Sequence, residues 1–241
     1  MKISIITPTR NSVSTLSDTI RSIQEQTYPE IEHIVVDGAS TDGTREYLES
    51  VRFPNMKWIS EPDGGMYEAL NKGIGLATGS IIGSLNADDF YATPSVIARV
   101  MREFERDAID VVFGNIGFID GDRLDRIGRR YRADRWKPEQ FAYGLMPPHP
   151  SVFVRAEVFA RHGYYRTDYQ IAADFELLIR ILRVGAARYT YLDLDMVHMR
   201  PGGKSTASWG NSILVSRELV RACRENGVGT NRLKIYSRYL R

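Results

Sequence analysis

The chain is expected to be α/β, with a mainly parallel sheet flanked by helices, because short β-rich runs alternate with helical patterns through its first hundred residues. Two more observations support that class. Apolar residues between the runs recur at helical spacing, and each run ends in a polar, Gly-rich or acidic loop. With 241 residues, 43% of them hydrophobic, the chain can bury one large domain, or one domain with an appendage.

Strands are expected at 3–7, Ile31–Asp37, Met56–Ser60 and 80–85. Leu16, Ile20 and Ile23 share one helical face between them, and Ala69, Leu70, Ile74 and Ala77 share another. In open α/β sheets ligands sit at the carboxyl ends of the strands, so the loops beginning at Pro8, Asp37, Glu61 and Asn86 are expected to open on one crevice. Beyond Asp110 the pattern gives strands at 111–119 and 124–131 around an Asp120-Gly121-Asp122 turn. An apolar run at 151–154 and a helix over 173–182 with Phe175, Leu178, Ile179 and Leu182 on one side come next. The last segment, 208–241, is helical in pattern and broken near Asn226-Gly227-Val228-Gly229.

Composition excludes several classes. A single cysteine, Cys223, rules out an internal disulfide framework and a cysteine-rich zinc site. The apolar run before Pro8 is too short for a signal peptide and no stretch approaches 18 apolar residues, so a cytoplasmic protein is expected. The net charge of +2 is unevenly spread: 199–241 carries nine Lys/Arg against Glu218 and Glu225, and 121–137 carries seven against Asp122, Asp125 and Asp134. The remainder is acidic.

That acidic remainder contains adjacent carboxylates, Asp88 and Asp89, at the end of a strand. Paired carboxylates are best tolerated where a cation or donors offset their charge, so a divalent metal carrying a phosphate fits, as does a plain helix cap ahead of the helix that Pro94 helps start. The second loop places Asp37 at a strand mouth and Asp42 in an Asp-Gly turn; carboxylates there can accept the hydroxyls and base donors of a nucleotide, or simply close a turn. In the third loop Gly64-Gly65 permits close backbone approach, and Asn71 and Lys72 offer donors to a ribose or phosphate. No GxxxxGK[ST] loop is present and no GxGxxG opens the first helix, which disfavours a P-loop ATPase or an NAD-dependent dehydrogenase.

Five motifs in order, SIITPTRN, VVDGASTDGT, EPDGGMYEALNKGIGLATG, LNADD and IAADFELLIRI, resemble the family 2 glycosyltransferases of the GT-A fold, a large bacterial group. The resemblance spans most of the chain. It implies a glycosyltransferase domain over 1–205, divided into a nucleotide-sugar-binding half (1–109) and an acceptor half (110–205), with a basic helical extension over 206–241. It places Thr7, Pro8, Arg10 and Asp37 around base and ribose, with Asp42, Asp63, Asn71 and Lys72 completing the donor pocket. The family's Asp-x-Asp element becomes Asn86-Ala87-Asp88 here, which keeps Asp88 as the ligand for Mn²⁺ or Mg²⁺ and leaves Asn86 to meet a ribose.

Asp174 matches the family's acidic position ahead of an amphipathic helix, where the resemblance implies the base that deprotonates an acceptor hydroxyl in an inverting displacement; its other reading is a helix cap. Glu176 stands in reserve. His149, among Pro147, Pro148 and Pro150, resembles an acceptor-side position, and His198 a further metal ligand ahead of a basic loop, 200–205, that resembles a diphosphate cover. His33 is expected to pack, and His162 to end a helix. The implied partners are a nucleotide-sugar, UDP-linked by default, and a saccharide or lipid-linked saccharide in surface polysaccharide or glycolipid synthesis. The basic, aromatic C-terminus suits the inner face of a membrane. Nucleic acid is not expected, since no binding motif accompanies the basic residues. Loss of an acid at Asn86 also admits a catalytically silent nucleotide-sugar-binding protein.

Overall fold

A computed structural model describes residues 1–106, 108–121, 123–201 and 209–240. The first half alternates strand and helix: β1 (Ile3–Thr9), α1 (Leu16–Gln24), β2 (Ile31–Asp37), α2 (Thr44–Ser50), β3 (Met56–Ser60), α3 (Met66–Leu76) and β4 (Ile81–Ser84). Then come β5 (Phe90–Tyr91), α4 (Val96–Arg106), β6 (Val111–Asp120), β7 (Arg123–Tyr131), β8 (Phe153–Arg155) and α5 (Ala156–His162). The chain closes with α6 (Ala173–Leu178), β9 (Tyr189–Met199), α7 (Trp209–Glu225) and α8 (Arg232–Tyr236).

One sheet runs β3-β2-β1-β4-β8-β6-β9-β5, with β7 beside β6. Strands β1 to β4 are mutually parallel, which brings the ends of β1, β2, β3 and β4 to one edge. Every residue of β1 and β2 is buried, as expected of central parallel strands covered on both faces. The expected parallel character stops there: β8 is antiparallel to both β4 and β6, while β9 lies parallel to β6 and antiparallel to β5.

Two of the expected elements change in kind. The run expected at 151–154 starts in a 3-10 turn at His149–Ser151, shaped by Pro148 and Pro150, and becomes β8 only at Phe153. The helix expected over 173–182 narrows to α6 and continues as a π-helical turn, Ile179–Val184, closed by Gly185 N–H donating to the Arg180 carbonyl at 2.8 Å. Helices α7 and α8 flank the expected break, and Leu219, Ala222, Cys223 and Ile235 join Ile6, Leu70 and Phe175 in a single core. The C-terminal segment therefore packs as part of the domain's core.

The edge opposite the strand ends is tied by Glu32. Its buried carboxylate accepts from Ser4 Oγ (2.6 Å), Thr78 N–H (2.8 Å), Thr78 Oγ1 (2.9 Å) and the ammonium of Lys57 (2.8 Å). Burial alone would raise this carboxyl, yet those donors hold it well below the ordinary glutamate range.

Candidate active site

The loops at the strand ends are built on one another. Asn11 adopts φ +52° and Ala39 φ +55°, left-handed conformations that cost a residue with a Cβ about 1 kcal/mol or more. Cross-bonds hold them there: Asn11 N–H donates to Ser40 Oγ (2.7 Å), and Thr41 N–H donates to Asn11 Oδ1 (2.9 Å). Strain held this way at a strand mouth is typical of a loop shaped for a ligand.

Asp37 is fully buried at the end of β2 and accepts from Ser40 N–H (3.0 Å), the Ser40 hydroxyl and Ser60 Oγ (2.6 Å). It thus fixes the second loop against β3. Asp63 lies over that loop, and a Cβ on Gly38 would meet Asp63 Oδ2 at 2.7 Å, so only glycine lets the carboxylate approach. Thr7 is buried and its Oγ1 lies 2.9 Å from His33 Nε2. His33 packs, as expected, and burial pushes its imidazole down to about 3, so it stays neutral. Pro8 is buried in β1, and Arg10 is exposed at the mouth with no ion-pair partner among the described residues.

Asp42 is committed to the scaffold, accepting from Val13 N–H (3.0 Å), Thr44 N–H (3.0 Å) and Thr44 Oγ1 (2.6 Å) at the start of α2. Asn71 and Lys72 are also engaged. The Asn71 amide bonds the backbone of Tyr165 at both ends, and Lys72 pairs with Glu61 (2.9 Å) and Glu68 (3.3 Å) while donating to the Pro62 carbonyl.

The adjacent acids have separate environments. Asp89 is buried, accepts from Asn86 Nδ2 (3.0 Å), and is pushed well above the ordinary aspartate range by burial first and the Asp88 charge second. Asp88 is half-buried, and its carboxylate has no hydrogen-bond donor among the described residues. Neither acid caps α4, which starts at Val96; Ala87, just ahead of them, packs with Leu16, Ile20, Val35 and Leu48. Arg200, the first residue of the expected basic loop, donates to the Asp88 carbonyl (2.7 Å), pairs with Asp18 and lies over the Phe90 ring. Residues 202–205 of the expected basic loop lie outside the described residues.

His198 pairs with Phe90 in register and stands edge-on to its ring, 5.5 Å between centroids. It lines a groove with Arg130, Asp193 and Asp195. Among the described residues no three His, Cys, Asp or Glu side chains form a metal cluster. A single free carboxylate still fits Mg²⁺ or Mn²⁺, which take most of their ligands from phosphate and water.

Asp174 occupies the second position of α6, half-buried, with Phe175 N–H donating to its Oδ1 at 2.8 Å. The Tyr67 hydroxyl donates to the Ile171 carbonyl and lies 3.3 Å from Asp174 Oδ1. Burial pushes this carboxyl above the ordinary aspartate range, partly offset by nearby His149 and the Phe175 and Tyr67 hydrogen bonds. Burial likewise pushes the His149 imidazole down, and its Nε2 lies 2.7 Å from the Tyr165 hydroxyl. Glu176 is spoken for by Arg180 at 2.8 Å, which removes it as an alternative base.

Comparison with known proteins fits this geometry. A family model described as glycosyl transferase family 2 matches residues 4–160. A PGL/p-HBAD biosynthesis glycosyltransferase of Mycobacterium bovis is 32% identical over 182 residues, covering 73% of this chain and 68% of that protein. S. aureus TarS 1-349 in complex with UDP-GlcNAc aligns with a TM-score of 0.71 and 19% identity, covering 100% of this chain and 72% of that one. The mannosyltransferase PcManGT from Pyrobaculum calidifontis, in complex with GDP-Man and Mn²⁺, aligns with a TM-score of 0.69 and 21% identity, covering 93% and 63%.

Proposed function

The chain belongs to glycosyl transferase family 2 and has its expected GT-A fold, and from that premise we propose that it transfers a sugar from a nucleotide-sugar to an acceptor hydroxyl by direct displacement, with Asp174 as base. The observation that carries the reading is the Asp174 carboxyl, raised by burial and held between Tyr67 and Phe175. A base whose affinity for protons lies nearer neutrality takes a hydroxyl proton more effectively. In the step, Asp174 takes the acceptor proton while the acceptor oxygen bonds the anomeric carbon. The bond from that carbon to the phosphate oxygen breaks, the nucleoside diphosphate leaves with the electron pair, and the anomeric centre inverts.

Asp63 and Arg10 are assigned to the nucleoside, on the loop that buried Asp37 holds in place, and Asp88 to Mg²⁺ or Mn²⁺. When bound, the cation neutralises charge on the departing diphosphate. Solved relatives carrying UDP-GlcNAc and GDP-Man support a nucleotide-sugar donor, with UDP the default base. A thermal-shift panel of UDP-, GDP- and dTDP-sugars, with and without Mn²⁺, identifies it.

The acceptor reading is a lipid-linked saccharide met at an anionic membrane surface, in surface polysaccharide or glycolipid synthesis. Helix α8 buries Ile235 but turns Leu233 (82% exposed) and Tyr236 outward, with Arg232 and Lys234 exposed beside them and Tyr239 exposed in the 3-10 turn that follows. Among the described residues no helix is long and apolar enough to cross a membrane. Co-sedimentation with phosphatidylglycerol vesicles at low salt is expected, and its absence ends this part of the reading. For the chemistry, Asp174→Asn is expected to lower turnover about 10²–10⁴-fold at saturating donor. A rate within a few-fold of the parent removes Asp174 as the base.

A further inference from the structure

Helix α6, which carries Asp174, has no side-chain cap of its own, because Ala172 stands at the capping position. The missing acceptor comes from elsewhere in the chain. Glu218, buried on α7, accepts Gln170 N–H (2.8 Å) on one carboxylate oxygen and Ile171 N–H (3.0 Å) and Ala172 N–H (2.9 Å) on the other. No Lys, Arg or His ion pair to Glu218 occurs among the described residues, so its buried charge is offset by these three amides and the positive end of α6. Ile171 is pinned from both sides. Its N–H meets Glu218 of α7, and its carbonyl meets the Tyr67 hydroxyl of α3, which also lies against Asp174.

We infer that Glu218 is a positioning residue for the transfer reaction: it fixes the 170–172 segment and, through it, the orientation of the Asp174 carboxylate toward the acceptor. Helix α7 is thereby part of the catalytic apparatus. The inference rests on Asp174 as base. Removing the carboxylate frees three amides one turn ahead of the base while leaving the donor loops on β1 to β4 untouched.

The test is a double-mutant cycle on the full chain, reading nucleoside diphosphate release from a panel of UDP-, GDP- and dTDP-sugars. Glu218→Ala is expected to lower kcat about 10–100-fold with donor KM within about two-fold, the signature of a misplaced group rather than a lost binding contact. Placed on Asp174→Asn, it is expected to cost less than about three-fold more, because both changes then act on the same step. Should Glu218→Ala fail to fold, Glu218→Gln, which keeps one acceptor oxygen, takes its place in the cycle. An unchanged kcat, or a full additional loss on top of Asp174→Asn, overturns the positioning role and leaves the base standing. Parent-like turnover by Asp174→Asn alone overturns the base and the positioning role together.

Discussion

The Tyr67 hydroxyl lies 3.3 Å from Asp174 Oδ1, joining residues 107 positions apart and bridging the donor-side helix α3 to the catalytic helix α6. The contact pulls the Asp174 carboxyl back toward the ordinary aspartate range, opposing the larger effect of burial. Tyr67→Phe removes that pull and leaves the Phe175 N–H as the donor at this oxygen. Because the base works ionised, the acid limb of the kcat profile is expected to move to higher pH in Tyr67→Phe, with donor KM nearly unchanged. A profile that stays in place separates Tyr67 from the base.

Glu32 gives the fold an acid sensitivity remote from the chemistry. Its folded carboxyl lies far below the unfolded value of about 4.3, so its contribution is present above that value and is lost as pH falls below it. Glu32→Gln keeps one acceptor oxygen, so either the Ser4 hydroxyl and Thr78 amide or the Lys57 ammonium and Thr78 hydroxyl meet an N–H group in place of an acceptor. A loss of roughly 2–4 kcal/mol at pH 7 is expected from such a broken buried network. Chemical denaturation at pH 7 and pH 3 checks it: the gap between parent and variant should narrow in acid.

How far the site could be read from the sequence depended on whether a residue's partners were local. Strands β1 to β4 were legible because buried parallel strands read as apolar runs, and Asp37, Asp88 and Asp174 because each ends a run or opens a helix. Glu218 was not legible: within an amphipathic pattern it looks like any solvated charge, and only the packing of α7 brings three amides to it. The partner of Arg200 was hidden likewise, since Asp18 lies 182 positions away. Strand β9 did carry a signal, the alternation of Leu192, Leu194 and Met196 with Asp193 and Asp195, but no strand was assigned there.

Asp88 should divide metal binding from nucleotide binding. Its carboxylate has no described donor, whereas Asp89 is occupied by Asn86 and disfavoured as an anion by burial. In the parent, Mn²⁺ is expected to add to the thermal stabilisation that UDP gives; a ligand at a hundred times its Kd contributes about 2.7 kcal/mol. In Asp88→Asn the UDP shift should remain and the Mn²⁺ increment vanish. An increment that survives places the cation elsewhere, and turnover undiminished by exhaustive chelation removes it from the reaction.

Asn71 distinguishes a pocket built from ligand contacts from one built from scaffold. Its Nδ2 donates to the Tyr165 carbonyl at 2.8 Å and its Oδ1 accepts the Tyr165 N–H at 3.0 Å, so the amide is satisfied at both ends by one residue. Tyr165 in turn stacks on Tyr67, 5.8 Å between centroids, and its hydroxyl meets His149. Asn71→Asp keeps the acceptor but turns a second oxygen toward the Tyr165 carbonyl, where two acceptors repel. The expected result is a loss of roughly 1–3 kcal/mol in stability and a fall in kcat, with donor affinity by calorimetry within about two-fold. A residue that instead served the ribose would give the reverse: an unchanged denaturation midpoint with donor affinity falling about ten-fold, the equivalent of one lost hydrogen bond at about 1.4 kcal/mol. The two outcomes do not overlap, because the first is measured without ligand and the second only with it.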